Sequence, residues 1–144
     1  MKKFQFPLQR VLDWRHVQAR VEESKLEGLY AERRAIETEI EKLLEERERS
    51  DRAVAQGNGS TGEELAALSA FRRFSVAEHT RLDRLRAGCS QRIAAQIAVV
   101  TAKRRDAKLL EKLEQQRLAA WQIDFTKHID AQAEESHLAR WKVS

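Results

Sequence analysis

The sequence predicts an all-α fold: two long helices in an antiparallel coiled-coil hairpin, the second helix longer and overhanging. Three observations predict this fold. Charged residues make up 35% of the chain and aromatic residues 6%, with one proline and five glycines, a composition typical of long helices. Apolar residues recur at steps of three and four. A single stretch, QGNGSTGEE, is rich in residues that break a helix.

The first helix is predicted over about residues 7–55. Pro7 suits the first turn, where its missing N–H is no loss. Up to Ala55 the only residue that disfavours a helix is Gly28, which costs about 1 kcal/mol relative to alanine. The predicted apolar seam of this helix consists of Leu26, Leu29, Ile36, Ile40 and Leu43.

A turn over residues 56–62 leads into a second helix over about residues 63–141. Thr61 or Ser60 is the expected N-cap, with Glu64 or Glu63 completing a capping box. A short connection makes two helices antiparallel neighbours, so we expect residues 1–144 to form one coiled-coil domain. The second seam is predicted at Leu65, Leu68, Leu82, Leu85, Cys89, Ile93, Ile97 and Val100.

Folding the chain about residue 59 predicts which segments lie at the same level. Gly28 falls near Gly88, as a point of close approach or as a hinge. The acidic stretch around residues 37–51 falls opposite Arg72, Arg73 and Arg81. Steps of four from Cys89 through Ile93 and Ile97 predict a stutter, which locally unwinds a supercoil.

The two predicted helices differ in length, roughly 73 Å against roughly 118 Å. The second should therefore project roughly 45 Å beyond the start of the first. The projecting segment emerges beside Phe4, Phe6, Leu8 and Trp14, and it is rich in large apolar residues that a thin hairpin cannot bury. We expect a partner protein to cover this surplus. The large apolar residues of the projecting segment are Leu118, Trp121, Ile123, Phe125, Ile129, Leu138 and Trp141.

The net charge of +4 is unevenly distributed. Residues 1–56 carry twelve basic and twelve acidic side chains, whereas residues 72–108 carry ten basic and three acidic ones. This basic belt suits nucleic acid, anionic lipid or an acidic protein face. The alternative is that its arginines simply solvate an exposed helix face. Because no long apolar run and no signal-peptide pattern occurs, and because the chain has one cysteine, we expect a cytosolic protein.

The motifs that suggest enzyme chemistry have simpler interpretations. GNGSTG matches G-x-G-x-x-G, but a dinucleotide site needs a preceding strand, and a charged helix precedes this one. His16, His79, His128 and His137 lack metal-ligand spacing, and Cys89 lies on the predicted seam. We therefore expect no enzyme, no catalytic residue, no metal and no cofactor.

The sequence FRRF places Phe71 and Phe74 on one helix face just after the turn. Two interpretations are open: the rings pack against the end of the first helix, or they form a second docking patch.

The N-terminal pattern F-x-F-x-L-x-x-V-L-x-x-R, from Phe4 to Arg15, resembles the FliJ family of bacterial flagellar type III export proteins. The segment LLEKLEQQRLAAWQIDFTKHIDAQAEESHLARW resembles the C-terminal part of that family, and the length and helix–turn–helix layout agree. The aspartate usual before the acidic pair near this end is not evident in AQAEESHLAR.

This resemblance implies a coiled-coil stalk, similar to the central stalk of rotary ATPases, that binds and activates the hexameric flagellar export ATPase, FliI. It also implies a link to the export gate protein FlhA, an escort role for export chaperones, and a cytoplasmic location, peripheral to the inner membrane at the flagellar base. The open end would supply the ATPase contacts Phe6, Leu8, Trp14, Trp121 and Phe125. The FRRF pair, Phe71 and Phe74, would contact the gate, and arginines between residues 84 and 105 would face acidic ring loops.

Two alternatives stay open at this stage. One is the equivalent stalk of a virulence type III secretion system, which only the gene neighbourhood separates from the flagellar version. The other is a nucleic-acid-binding protein that uses the basic belt. The sequence disfavours it because no aromatic residue is interleaved with Arg84–Lys108 for base stacking. Under the resemblance we expect neither nucleic acid nor a small molecule as partner.

Overall fold

The computed structural model describes residues 2–57 and 61–143. Within these residues it contains two α-helices, α1 (Gln9–Gln56) and α2 (Gly62–Val143), and no strand. α1 has 48 residues and α2 has 82, so the predicted all-α fold with a longer second helix is confirmed. Of the predicted turn, Asn58, Gly59 and Ser60 lie outside the described residues.

Local hydrogen bonds define where each of the two helices begins. Before α1, residues 7 and 8 form a turn, and the N–H of Gln9 donates to the carbonyl of Phe6 at 3.1 Å. At the start of α2, the N–H of Glu64 donates to Oγ1 of Thr61 at 3.2 Å, and the N–H of Thr61 donates to Oε2 of Glu64 at 3.3 Å. These reciprocal bonds are the predicted capping box. The alternative cap, Ser60, lies outside the described residues.

The chain divides into two compact units. The central unit is Glu22–Val100, and the terminal unit combines Met1–Val21 with Thr101–Ser144. Each unit pairs a stretch of α1 or its preceding segment with an antiparallel stretch of α2. In the central unit Asp51 contacts Arg72 and Glu32 contacts Arg92; in the terminal unit Lys2 contacts Trp121 and Arg15 contacts Asp106.

The core of the central unit contains part of the predicted seam. Ile40, Leu43 and Leu82 form a buried cluster against which Ile36 packs. Along α2 the buried positions repeat every seven residues, which is the coiled-coil period. They are Ser75, Leu82 and Cys89, and then Ile93 and Val100.

A step of four residues joins these two runs, from Cys89 to Ile93. A single step of four is the ordinary step between the two seam positions of a heptad, and Gln96 lies seven residues after Cys89, so the heptad continues and the predicted stutter was wrong. The continuing heptad also explains why one predicted seam residue is exposed. The seam position falls on Gln96, whose Nε2 donates to the Glu22 carbonyl at 3.0 Å and to its carboxylate at 2.6 Å. Ile97 is consequently 43% exposed.

Two other residues predicted to lie in the seam, Leu85 and Leu65, are also exposed, so these two predictions were wrong. Leu85 is 46% exposed because the seam of α2 runs through Leu82 and Cys89, and Leu85 lies on its flank. Leu65 is 51% exposed. It lies seven residues before Arg72, whose partner Asp51 is already close to the end of α1, so little of α1 is left to cover it.

The two glycines at corresponding levels of the central unit do not mark a close approach. A Cβ built on Gly28 or on Gly88 would meet no atom within 4 Å beyond its own helix. The prediction of close approach was therefore wrong, because both glycines lie on faces that the opposing helix does not crowd. The hinge remains a prediction.

In the terminal unit the buried apolar residues are Phe6, Leu12, Ala19 and Ala107. The segment that precedes α1 runs along α2 as far as Trp121. The overhang of α2 is confirmed, but it is shorter than predicted, because this segment covers part of it. Residues 126–143 are all exposed, a length of roughly 27 Å at about 1.5 Å per residue.

No described helix has a stretch that combines the length and the apolar character needed to span a bilayer.

Candidate binding surface

Three aromatic rings form a group on the terminal unit, which we call the terminal aromatic cluster: Phe4, Trp121 and Phe125. The rings of Trp121 and Phe125 are stacked, with centroids 5.0 Å apart and planes 13° apart. Phe4 lies 6.2 Å from Trp121 in a tilted arrangement. The indole Nε1–H of Trp121 donates to the carbonyl of Lys2 at 3.2 Å, which fixes the orientation of the ring. All three rings are half-buried, so each keeps an accessible face.

The residues predicted to bind an ATPase differ in how exposed they are in the structure. Phe6 is only 7% exposed, so it offers little accessible surface to a partner, and its assignment as a contact residue stays a prediction. The turn before α1 directs its ring inward, and Phe6 lines a groove together with Glu114 of α2. Leu8 is half-buried. Trp14 is 55% exposed, and the guanidinium of Arg15 lies 5.3 Å from the centroid of its ring.

Trp14 belongs to an apolar stripe that the sequence analysis missed. Val11, Val17 and Val21 are between 41% and 50% exposed and follow the spacing of one helix face. The seam residues Leu12 and Ala19 are buried on another face of the same helix. The signal in the sequence was therefore a second set of apolar residues beside the seam set.

The FRRF pair lies in the central unit and is divided between its two interpretations. Phe71 is half-buried and lines a groove of about 370 Å³ with Glu46, Arg49 and Ser50 of α1. Phe74 is 58% exposed. The first ring therefore packs toward α1, and the second remains available to a partner.

The basic belt is largely neutralised within the central unit. Four of its arginines form ion pairs, two with α1 and two within α2: Arg72 with Asp51, Arg92 with Glu32, Arg81 with Glu78, and Arg86 with Asp83. The hydrogen bond from Arg81 lowers the pKa of Glu78, and the hydrogen bond to Glu32 raises the pKa of Arg92. The prediction that the acidic stretch lies opposite Arg72 is confirmed by the contact with Asp51. The pKa of Arg81 is raised by its hydrogen bond to Glu78 on its own helix and also by the charge of Glu39 in the acidic stretch, as expected for a residue opposite that stretch.

In the terminal unit the belt has a different arrangement. Two acidic side chains of α2 face α1: Asp106 contacts Arg15 at 3.4 Å, and Glu111 contacts His16 at 3.1 Å. Basic side chains line an open groove of about 470 Å³ on α2, and their spacing places them on one helix face. The lining residues are Thr101, Arg104, Arg105, Lys108, Leu109 and Lys112.

Among the described residues no set of three His, Cys, Asp or Glu side chains is placed to hold a metal ion. Cys89 is fully buried and its thiol donates to the carbonyl of Leu29 at 3.4 Å, as expected for a core residue. The G-x-G-x-x-G stretch includes Gly59, which lies outside the described residues.

Comparison with known proteins adds no assignment: no protein-family model, no curated protein and no solved structure matches the chain. The fold and the surfaces described above are thus the basis for a functional proposal.

Proposed function

We propose that this protein is a non-enzymatic component of a bacterial flagellar type III export apparatus, a coiled-coil stalk that binds and activates the hexameric export ATPase FliI. In this proposal it also links the ATPase to the export gate protein FlhA and escorts export chaperones. The proposal combines the resemblance of Phe4–Arg15 and of the C-terminal segment to the FliJ family with the helical hairpin fold.

One observation carries the proposal: large aromatic surface is accessible on the terminal unit. Trp14 is 55% exposed, and the terminal aromatic cluster holds Trp121 against Phe4 and Phe125 with its indole N–H already bonded. Aromatic side chains that are fixed in orientation and partly exposed dominate the energetics of protein interfaces. Aromatic side chains of this kind suit contact with a hexamer of ATPase subunits.

The geometry of a stalk adds a second physical reason. A shaft inside a six-fold ring has to be stiff and asymmetric, and it must carry side chains that the ring subunits contact. Long helices with a heptad seam supply stiffness. The exposed segment 126–143 of α2, opposite which no α1 residue lies, supplies asymmetry within the terminal unit. Phe74, exposed in the central unit, is the better candidate of the FRRF pair for the gate.

The test is activation of the purified cognate ATPase by the full chain. We expect the wild-type protein to raise ATP hydrolysis or hexamer formation. Trp121→Ala combined with Phe125→Ala should weaken this activation at least about tenfold in the concentration required, because two anchor rings are lost. The matched control is Phe74→Ala, which removes an exposed ring from the other unit and should leave ATPase activation unchanged.

Circular dichroism must show unchanged helicity in both variants. Full activation by a correctly folded double variant would contradict the assigned ATPase site. Wild-type protein that fails to activate any export ATPase of its own cell would contradict the function. Selective activation of a virulence-type ATPase over the flagellar one would assign the protein to the alternative secretion system.

A further inference from the structure

One face of α2 in the terminal unit carries only basic and apolar side chains. We call it the basic face: Arg105, Lys108, Leu109 and Lys112. The spacing i, i+3, i+4, i+7 places the four side chains together. All are exposed, Leu109 to 62%. Within the part of the chain that the structure describes, the three cations have no acidic partner, because the nearby acids face α1.

A face of α1 in the central unit has the opposite charge and the same spacing. We call it the acidic face: Glu41, Leu44, Glu45 and Glu48. These residues are also exposed, and Leu44 is 45% accessible. Glu48 pairs with Arg52 on its own helix. Glu41 and Glu45 have no cationic partner among the described residues.

The two faces match when the helices are read in opposite directions. Starting from Glu48, the acidic face reads acid, acid, leucine, acid at steps of three, one and three. Starting from Arg105, the basic face reads base, base, leucine, base at the same steps. Lys108 thus meets Glu45, Lys112 meets Glu41, and Leu109 meets Leu44. Read in parallel, Leu44 would meet Lys108 and Glu45 would meet Leu109, which loses both the apolar contact and a charge pair.

The helix segments that carry the acidic face and the basic face each already pack against the other helix of their own unit. Next to the acidic face, Asp51 contacts Arg72 of α2 at 3.1 Å. Next to the basic face, Asp106 contacts Arg15 of α1 at 3.4 Å. The seam sides of both segments are therefore occupied, and the two faces are outer surfaces.

We infer that the basic face of one copy binds the acidic face of a second copy in an antiparallel arrangement. The exposed leucine at the centre of each face distinguishes this partner from nucleic acid, since phosphates explain the cations but give Leu109 no contact. This inference does not depend on the proposed function.

The contact is small, about two helical turns on each copy, so it lies below the size of a standard protein interface. We therefore expect weak association, at protein concentrations of about 0.1–1 mM. Because exposed charges carry the contact, it should weaken when salt is raised from about 50 mM to about 500 mM.

The test is sedimentation equilibrium of the full-length protein and two charge-reversal variants at low salt. One variant carries Lys108→Glu and Lys112→Glu; the other carries Glu41→Lys and Glu45→Lys. Each alone should associate at least about tenfold more weakly than the wild type. Mixed in equal amounts, they should associate again, because the native faces of the two variants complement each other and so do the reversed faces.

Restored association in the mixture, with wild-type helicity in each variant, would establish the pairing. The inference is overturned if the wild type stays monomeric at low salt up to about 1 mM. It is equally overturned if the variants associate like the wild type, if mixing restores nothing, or if nuclease treatment abolishes the association.

Discussion

The two units of the molecule use their charged side chains in different ways. In the central unit four arginines of the basic belt are paired with carboxylates, either across the hairpin, as Arg92 with Glu32, or within α2, as Arg86 with Asp83. In the terminal unit Asp106 and Glu111 of α2 contact α1, and the three cations of the basic face have no acidic partner among the described residues. The difference shows that the net charge of a segment does not tell which of its cations are paired with carboxylates.

The apolar side chains differ in the same sense. The buried residues of the central unit are mainly large, such as Ile40, Leu43 and Leu82. In the terminal unit two of the four buried apolar residues are alanines, whereas Trp14 and Leu109 are more than half exposed. The central unit therefore buries the larger apolar side chains, although it also leaves Phe74 58% exposed.

The largest expected effect on the free energy of unfolding tests this difference between the two units with a matched pair of substitutions. Leu82→Ala in the central unit should lower the free energy of unfolding by about 2–5 kcal/mol, because the side chain is 2% exposed and its loss leaves a cavity. Leu109→Ala in the terminal unit should change it by less than about 0.5 kcal/mol, since that leucine is 62% exposed. Urea unfolding followed by circular dichroism measures both. Equal losses of unfolding free energy in the two variants would contradict this difference between the units.

A smaller effect tests whether the central unit is optimised for stability throughout. Gly28→Ala and Gly88→Ala should each raise the free energy of unfolding by about 1 kcal/mol, because alanine is the better helix former and the added Cβ meets no neighbour. Thermal or urea unfolding measures the gain. Gly57→Ala is the control, since its Cβ would lie 3.2 Å from the carbonyl oxygen of Ala53, so no comparable gain is expected.

The two helix glycines also test the predicted hinge. If Gly28 and Gly88 form a compliant zone, both substitutions should raise amide protection in the surrounding turns. Uniform protection along α1 and α2 in the wild type would contradict the hinge.

The smallest effect concerns Ser75, a polar residue in the seam. Its side chain is fully buried, and its hydroxyl has no hydrogen-bond partner within the described residues. Ser75→Ala should raise the free energy of unfolding by up to about 1 kcal/mol beyond the gain in helix propensity, because the cost of the unpaired hydroxyl disappears. Exposed Ser24→Ala measures the propensity gain alone. If both variants gain equally in urea unfolding, the hydroxyl has a partner such as water.

Much of the fold was predictable because its signals are local. Thr61 and Glu64 form the capping box within four residues, and the predicted helix bounds differ from the observed ones by two residues or fewer. The candidate surface was predictable only in part. Trp14 and Trp121 keep accessible faces as expected, and Phe74 follows one of the two interpretations left open. Phe6, in contrast, is buried next to a turn that neighbouring residues form before α1.

The sequence by itself determined that the chain forms two long helices with a heptad seam, because helix propensity, capping and the period of apolar residues act within a few residues of one another. Only the tertiary structure decided which side chains near the seam are buried. Neighbouring residues on a helix are separated by only about 100°, so the opposing helix selects between them. Gln96 lies in the seam and Ile97 outside it because Glu22 of α1 accepts two hydrogen bonds there. In the same way, the antiparallel register decided that Arg92 contacts Glu32, whereas Arg105, Lys108 and Lys112 have no acidic partner among the described residues.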